Sequence, residues 1–154
     1  MYSNILVAIS NFPVILPIAL SWSKRDYWTC GAISFVGIAS FVSHLIENHK
    51  HGMNGIGFSE TTSYIWNRLD VMGCLIVISR IAMVYYNKYG LNIKPIYNNK
   101  IYFATSLLPI IFLYISEYDK YNANLKKIYI PTHCLWHTSI FTSMYCFLKY
   151  FIYK

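Results

Sequence analysis

The sequence predicts an all-α fold: a single domain over residues 1–154, built as a polytopic bundle of about five transmembrane helices. Hydrophobic residues make up 56% of the chain and charged residues only 12%, against about 25% charged residues in a soluble domain. The net charge of +7 comes from residues in short connectors and at the chain ends, as is typical of membrane spans. These features indicate an integral, multi-pass membrane protein whose partner is the lipid bilayer and not nucleic acid.

The first predicted span covers residues 4–22, an apolar run long enough to cross about 30 Å of hydrocarbon. Ser10 and Asn11 place polar groups at membrane depth within it. Pro13 predicts a kink, because a proline inside a helix removes one backbone hydrogen bond. A short charged connector then leads to the second predicted span, residues 27–47.

A polar, glycine-rich segment follows the second span and cannot itself cross a membrane. We predict that it forms a loop over one end of the bundle, with His49 and His51 as solvated loop residues. Ser59 is a suitable N-cap for a short interfacial helix that would end at Asn67.

The last three predicted spans cover residues 69–86, 101–116 and 128–153. Arg80 lies near the middle of the first of these. A charge inside hydrocarbon is costly, so Arg80 should face the bundle interior and find an anion, a carbonyl group or water. Asp70 is one candidate for that anion, and a lipid phosphate is a less favoured one.

Two histidines, His133 and His137, lie four residues apart near the start of the last span. On a helix this spacing stacks both imidazoles on one face, where they can hold one metal ion together. Following the antiparallel spans from one membrane side to the other places His44 and Asp70 at the same depth as this pair. A histidine within a span is a candidate functional residue, because an unpaired polar group is costly there.

Three imidazoles and a carboxylate are the groups that a catalytic zinc site needs. His44, His133 and His137 are therefore the predicted metal ligands. Asp70 is the predicted base for an attacking water, and Ser40, one helical turn before His44, is the predicted hydrogen-bond donor to that water or to a developing oxyanion. Imidazole is a ligand for several transition metals, so the three histidines also permit a metal other than zinc.

The same residues resemble the motifs of a known family. Ser40-x-x-x-His44, Asp70 and His133-x-x-x-His137 look like those of the alkaline ceramidase and adiponectin-receptor group, the CREST superfamily. The resemblance implies a seven-helix bundle that holds zinc through the three histidines, uses the Asp and the Ser in catalysis, and hydrolyses the C–N bond of a lipid amide such as a ceramide.

The chain departs from that family in length. About sixty residues separate Asp70 from His133, which leaves room for one span where the family has three. The resemblance therefore implies a reduced bundle of about five helices. In a homo-oligomer of such bundles, a second copy of the chain would complete the lipid pocket.

Two other interpretations stay open from the sequence. The first is a non-enzymatic membrane scaffold or accessory protein, in which the polar residues only hydrogen-bond the helices to one another. The second is a small haem-binding electron carrier with His44 and His137 as axial ligands. The hydrolase interpretation differs from both because it requires His44, His133, His137 and Asp70 to form a single cluster.

Overall fold

The computed structural model describes residues 2–154, with the backbone alone at residues 100, 101 and 103–105. Every regular element in that part of the chain is helical, so the predicted all-α fold is confirmed. In chain order the elements are α1 (Tyr2–Ile9), a 3-10 turn (Phe12–Val14), α2 (Ile15–Ser23), α3 (Tyr27–Ile46), α4 (Glu60–Tyr89), α5 (Lys94–Tyr97), α6 (Lys100–Glu117), a second 3-10 turn (Ala123–Leu125), α7 (Lys126–Phe147) and a π-helical turn (Leu148–Ile152).

Three helical segments among the described residues are long and apolar enough to cross a membrane: Tyr2–Ser23, Tyr27–Ile46 and Glu60–Tyr89. They coincide with the first three predicted spans and support association with a membrane. A shorter apolar stretch, Ser106–Glu117, lies in α6. The fourth and fifth predicted spans coincide with α6 and α7, and the count of five membrane crossings stays a prediction.

The first predicted span is broken at the position of its proline. Helix α1 ends at Ile9, Pro13 lies in a 3-10 turn, and α2 begins at Ile15, so the predicted kink is present. Ser10 follows the end of α1, and its hydroxyl donates to the carbonyl of Val7 at 2.6 Å. The break thus sets a polar side chain at the bundle interior.

The helix that contains the third predicted span begins earlier than predicted. Ser59 is the N-cap, as expected, and its hydroxyl accepts a hydrogen bond from the backbone of Thr62 at 3.2 Å. Helix α4 then continues for 30 residues without interruption, so the predicted short helix and the span are one element about 45 Å long. The prediction was wrong because Arg68 and Asp70 are charged but do not break a helix.

The long helices pack as two pairs, α3 with α4 and α6 with α7, and the N-terminal helices α1 and α2 contact both α3 and α7. Gly73 lies where α4 is closest to α3. A Cβ atom on Gly73 would lie 3.0 Å from the Cα of Val36, so a small residue allows the two backbones to approach. The main apolar core is formed by Val14, Ile33, Val36, Val77, Phe141, Leu148 and Ile152.

Arg80 finds an anion at the end of the bundle where α3 begins. Its Nη2 donates to Oδ1 of Asp26 at 2.8 Å, and its Nε donates to the hydroxyl of Thr29 at 2.9 Å. The hydroxyl of Tyr153 donates to Oδ2 of Asp26 at 3.0 Å. The expectation of an interior partner is met, but Asp70 is not that partner because it lies about 15 Å away along α4.

Asp26 connects α2 to α3 and accepts hydrogen bonds from several elements. Burial raises the pKa of its carboxyl group, but the hydrogen bonds from Thr29, Arg80 and Tyr153 outweigh burial and leave the pKa below its ordinary value. A lowered pKa in the folded state stabilises the protein at neutral pH. That stabilisation is lost as the pH falls through the folded-state pKa.

Replacing Arg80 with alanine is expected to lower the free energy of unfolding by about 2 kcal/mol at neutral pH, because the Asp26 carboxylate loses its charged partner. The cost should shrink below pH 3.8, the ordinary pKa of an aspartate, as Asp26 becomes protonated. The measurement is thermal unfolding of detergent-purified protein. In the double variant with Asp26→Asn the losses should be less than additive, and full additivity would contradict the pairing.

Gly73→Ala is expected to lower the free energy of unfolding by about 1–3 kcal/mol, because the added methyl group overpacks the contact between α3 and α4. The matched control is Gly31→Ala in α3, where a Cβ atom meets no other atom within 4 Å. The control should leave stability unchanged or raise it by up to about 1 kcal/mol. Equal losses in the two variants, measured by thermal unfolding, would contradict the close approach of the helices.

Candidate metal centre

Three buried histidine side chains meet at one end of the bundle. His44 comes from the last turn of α3, and His133 and His137 lie four residues apart on one face of α7. Nitrogen atoms from the three rings lie within 4.8 Å of one another. The Nε2 atoms of His44 and His133 are 3.2 Å apart, near the roughly 3.3 Å that separates two nitrogens on one tetrahedral zinc ion. The structure thus brings the three predicted ligands together.

Each imidazole has a polar partner at its Nδ1 atom. Such partners fix the orientation of a metal-binding ring and the position of its proton, which leaves the Nε2 atom available to a metal. The three contacts are His44 with Oε2 of Glu47 at 3.5 Å, His133 with the hydroxyl of Ser116 at 3.0 Å, and His137 with the hydroxyl of Ser10 at 2.8 Å.

Ser40 and Asp70 lie near the Nε2 atoms of the rings. The hydroxyl of Ser40 is 3.4 Å from Nε2 of His137, and Oδ2 of Asp70 is 3.8 Å from Nε2 of His44. Ser40 is buried, whereas the side chain of Asp70 is 14% exposed. All five residues predicted for the site therefore belong to a single cluster.

Three of the residues that contact this cluster were not predicted to lie there. Glu47 follows His44 by three residues and Tyr129 precedes His133 by four, so helical spacing alone places each on the face of its histidine. That spacing was the signal available in the sequence. Ser116 comes from α6, and no spacing within one helix could have paired it with His133.

The loop after α3 folds down over the same end of the bundle. His51, predicted to be solvated, is only 1% exposed, and its Nε2 lies 3.1 Å from the carbonyl of Ser116. That prediction was wrong because the backbone N–H of His51 donates to the carbonyl of Lys120, which ties the loop to the segment before α7. His49 is half-buried beside Ser63, and burial lowers the pKa of its imidazole.

Lys50 is a buried cation next to the histidine cluster. Its Nζ donates to both carboxylate oxygens of Glu117, at 3.0 and 3.1 Å, and lies 3.7 Å from Oε1 of Glu47. Burial lowers the pKa of the Lys50 ammonium group, but the two carboxylates outweigh burial and raise the pKa above its ordinary value. Lys50 is therefore charged at neutral pH and compensates two nearby acidic groups.

The donor set fits a metal ion. Neutral imidazole nitrogen is a good ligand for zinc, copper, iron and nickel, and three such nitrogens leave a coordination position open for water. The Nδ1 partners are those that metal-binding histidines ordinarily have. The three histidines can therefore hold a metal, and the chemistry of the donors alone does not select one ion.

An apolar cavity of about 320 Å³ lies beside this cluster, between α6 and α7. Ser116, Tyr129 and His51 form the wall nearest the histidines, and Tyr114 and Ile128 are among the apolar residues that line the rest. Since Ser116 and Tyr129 also contact His133 and His44, respectively, the cavity and the cluster share a wall.

Comparison with known proteins identifies one viral relative. The chain is 61% identical over 150 residues to the "Uncharacterized protein L282" of Acanthamoeba polyphaga mimivirus, and the alignment covers 97% of this chain and 99% of the relative. No protein-family model and no solved structure matches the chain. The chain therefore belongs to the same family as the mimivirus protein.

Proposed function

We propose that this member of the L282 family is a zinc-dependent intramembrane hydrolase that cleaves the amide bond of a ceramide-like lipid. The observation that carries the proposal is the convergence of three buried imidazoles, each with a partner at Nδ1, beside Ser40 and Asp70. The resemblance of the same motifs to those of the CREST superfamily agrees with it.

Each residue of the cluster has a role in this proposal. His44, His133 and His137 hold the ion through ring nitrogens. A bound zinc ion supplies a Lewis acid and lowers the pKa of its water toward about 7. Asp70 accepts the proton of the attacking water, and Ser40 donates a hydrogen bond to the oxygen that becomes negative as the carbonyl carbon is attacked. Asp70 then returns the proton to the leaving nitrogen as the C–N bond breaks, which yields a fatty acid and an amine.

A lipid substrate suits the surfaces around the cluster. Asp70 lies on α4 and Ser116 on α6, and each of these helices packs mainly against one long neighbour. Their other faces expose large apolar side chains, among them Leu75 on α4 and Ile110 on α6, which are each 60% exposed. We infer that a lipid reaches the cluster from the bilayer between α4 and α6, and that a second copy of the chain can complete this pocket.

A second candidate is a non-enzymatic scaffold, and the hydrogen bonds of the cluster favour it. Ser10 and Ser116 link the rings of α7 to the N-terminal segment and to α6, so the same side chains hold the bundle together. A haem fits less well. The ring centroids of His44 and His137 are only 4.8 Å apart, whereas a porphyrin must lie between its two axial ligands.

Metal analysis of detergent-purified protein tests the site. The wild type should carry about one zinc ion per chain, and His133→Ala/His137→Ala should carry none, because two of three ligands are removed. His49→Ala is the matched control, since His49 lies outside the cluster, and it should retain zinc. A folded wild type without bound metal would contradict the proposal and favour the scaffold.

The assigned base is tested by hydrolysis of a ceramide with a labelled acyl chain. Asp70→Asn should retain zinc but lose about 100-fold or more in rate, the usual contribution of a general base. Glu60→Gln, which removes an exposed carboxylate from the same helix, is the control and should keep the wild-type rate. Hydrolysis by Asp70→Asn at the wild-type rate would refute the assignment of the base.

A further inference from the structure

We propose that Glu47 is a positioning residue that holds His44 in the orientation and tautomer needed to bind the metal. The inference rests on the proposed metal centre and adds a residue that the predicted site does not contain. It concerns metal affinity, so it is independent of which substrate the centre acts on.

Glu47 is a carboxylate with no exposed surface, placed directly behind a ligand. Its Oε2 lies 3.5 Å from Nδ1 of His44 and accepts a hydrogen bond from the hydroxyl of Tyr129 at 2.5 Å. A buried carboxylate is costly unless it is paired. At this position its contacts join the last turn of α3 to α7.

The end of α3 is fixed by a second set of contacts. The last carbonyl groups of a helix have no partner within it. Here Nδ2 of Asn4, in α1, donates to the carbonyl of His44 at 3.0 Å and to that of Glu47 at 2.8 Å. Both residues are therefore held by the same amide, which fixes the carboxylate relative to the imidazole.

Charge compensation makes an ionised Glu47 acceptable at this buried position. The ammonium group of Lys50 lies 3.7 Å from Oε1 of Glu47 and is itself bonded to Glu117. The loop that carries Lys50 thus supplies the cation that a buried anion needs. Without Glu47, Lys50 would lose one of the two carboxylates beside it.

The three ligands differ in the chemistry of their Nδ1 partners. Ser10 and Ser116, beside His137 and His133, carry neutral hydroxyls, which donate to backbone carbonyls and accept a hydrogen bond from the rings. An ionised carboxylate can only accept, so Glu47 requires the proton of His44 on Nδ1 and leaves the lone pair of Nε2 facing the cluster. A carboxylate at this position also raises the basicity of the ligand.

A zinc titration against a competing chelator tests the inference on full-length protein in detergent. Glu47→Gln keeps the shape of the side chain and removes its charge, and it should bind zinc about 10–100-fold more weakly than the wild type. Glu117→Gln is the matched control, because it neutralises the other acidic partner of Lys50. Oε1 of Glu117 is 3.8 Å from Nδ1 of His133, beyond hydrogen-bond distance, so this variant should change zinc affinity by less than about threefold.

Replacing zinc with cobalt(II) gives an absorption signal that would not change if Glu47 only stabilised the fold. The visible absorption of the cobalt protein reports on the ligands, so Glu47→Gln should shift these bands and Glu117→Gln should not. Glu47→Asp covers the case in which Glu47→Gln does not fold. It keeps the charge beside Lys50 but withdraws the carboxylate from His44, and it should weaken zinc binding by about 3–10-fold.

The outcomes separate this inference from the proposed function. Wild-type zinc affinity and an unchanged cobalt spectrum in folded Glu47→Gln or Glu47→Asp would overturn the role of Glu47 and leave the metal centre standing. A folded wild type that binds neither zinc nor cobalt would overturn both. Weaker zinc binding with shifted cobalt bands supports the positioning role, even if no lipid is hydrolysed.

Discussion

The contact between His44 and His133, whose Nε2 atoms are 3.2 Å apart, is the interaction on which the architecture of this protein depends. One imidazole belongs to the α3–α4 pair and the other to the α6–α7 pair, so the contact lies where the two halves of the bundle meet. The Nδ1 partners place the ring protons on Nδ1, so two Nε2 lone pairs face each other across this contact and repel unless a cation lies between them. A third ring, that of His137, completes a set of nitrogens that a metal ion would hold together.

Buried charges are compensated differently at the two ends of the bundle. At the start of α3, Arg80 and Asp26 neutralise each other, and Asp26 also caps α3 through the backbone N–H of Thr29 and accepts a hydrogen bond from Tyr153. At the other end, the carboxylates of Glu47 and Asp70 both lie near His44. Lys50 lies 3.7 Å from one of them, Glu47, and is shared with Glu117. An excess of acceptors around imidazole rings is the electrostatic setting in which a cation binds.

Features that depend on residue spacing within one helix were predicted correctly from the sequence. The pairing of His133 with His137, the kink at Pro13 and the cap at Ser59 follow from local geometry, and the structure contains all three. Features that depend on contacts between elements were predicted less well. Ser116 and the burial of His51 arise from the way α6 and the loop after α3 pack together, which no periodic pattern encodes.

Charge was the least reliable guide to where helices begin and which residues pair. Arg68 and Asp70 suggested a boundary, yet α4 runs through both, because charged side chains do not break a helix. Asp70 was a candidate partner for Arg80, but the two lie about 15 Å apart on the same helix and Asp26 is nearer in space. Meanwhile Glu47, taken only as the end of a span, is a fully buried acid at the candidate site.

X-ray absorption at the zinc edge of metal-loaded protein tests the three-histidine site, because it counts the ligands and measures their distances. We expect three imidazole nitrogens at about 2.0–2.1 Å together with an oxygen ligand. A first shell that contains sulfur, with Cys134 next to His133 as the nearest source in the chain, would contradict it, and so would a shell with fewer than three imidazoles.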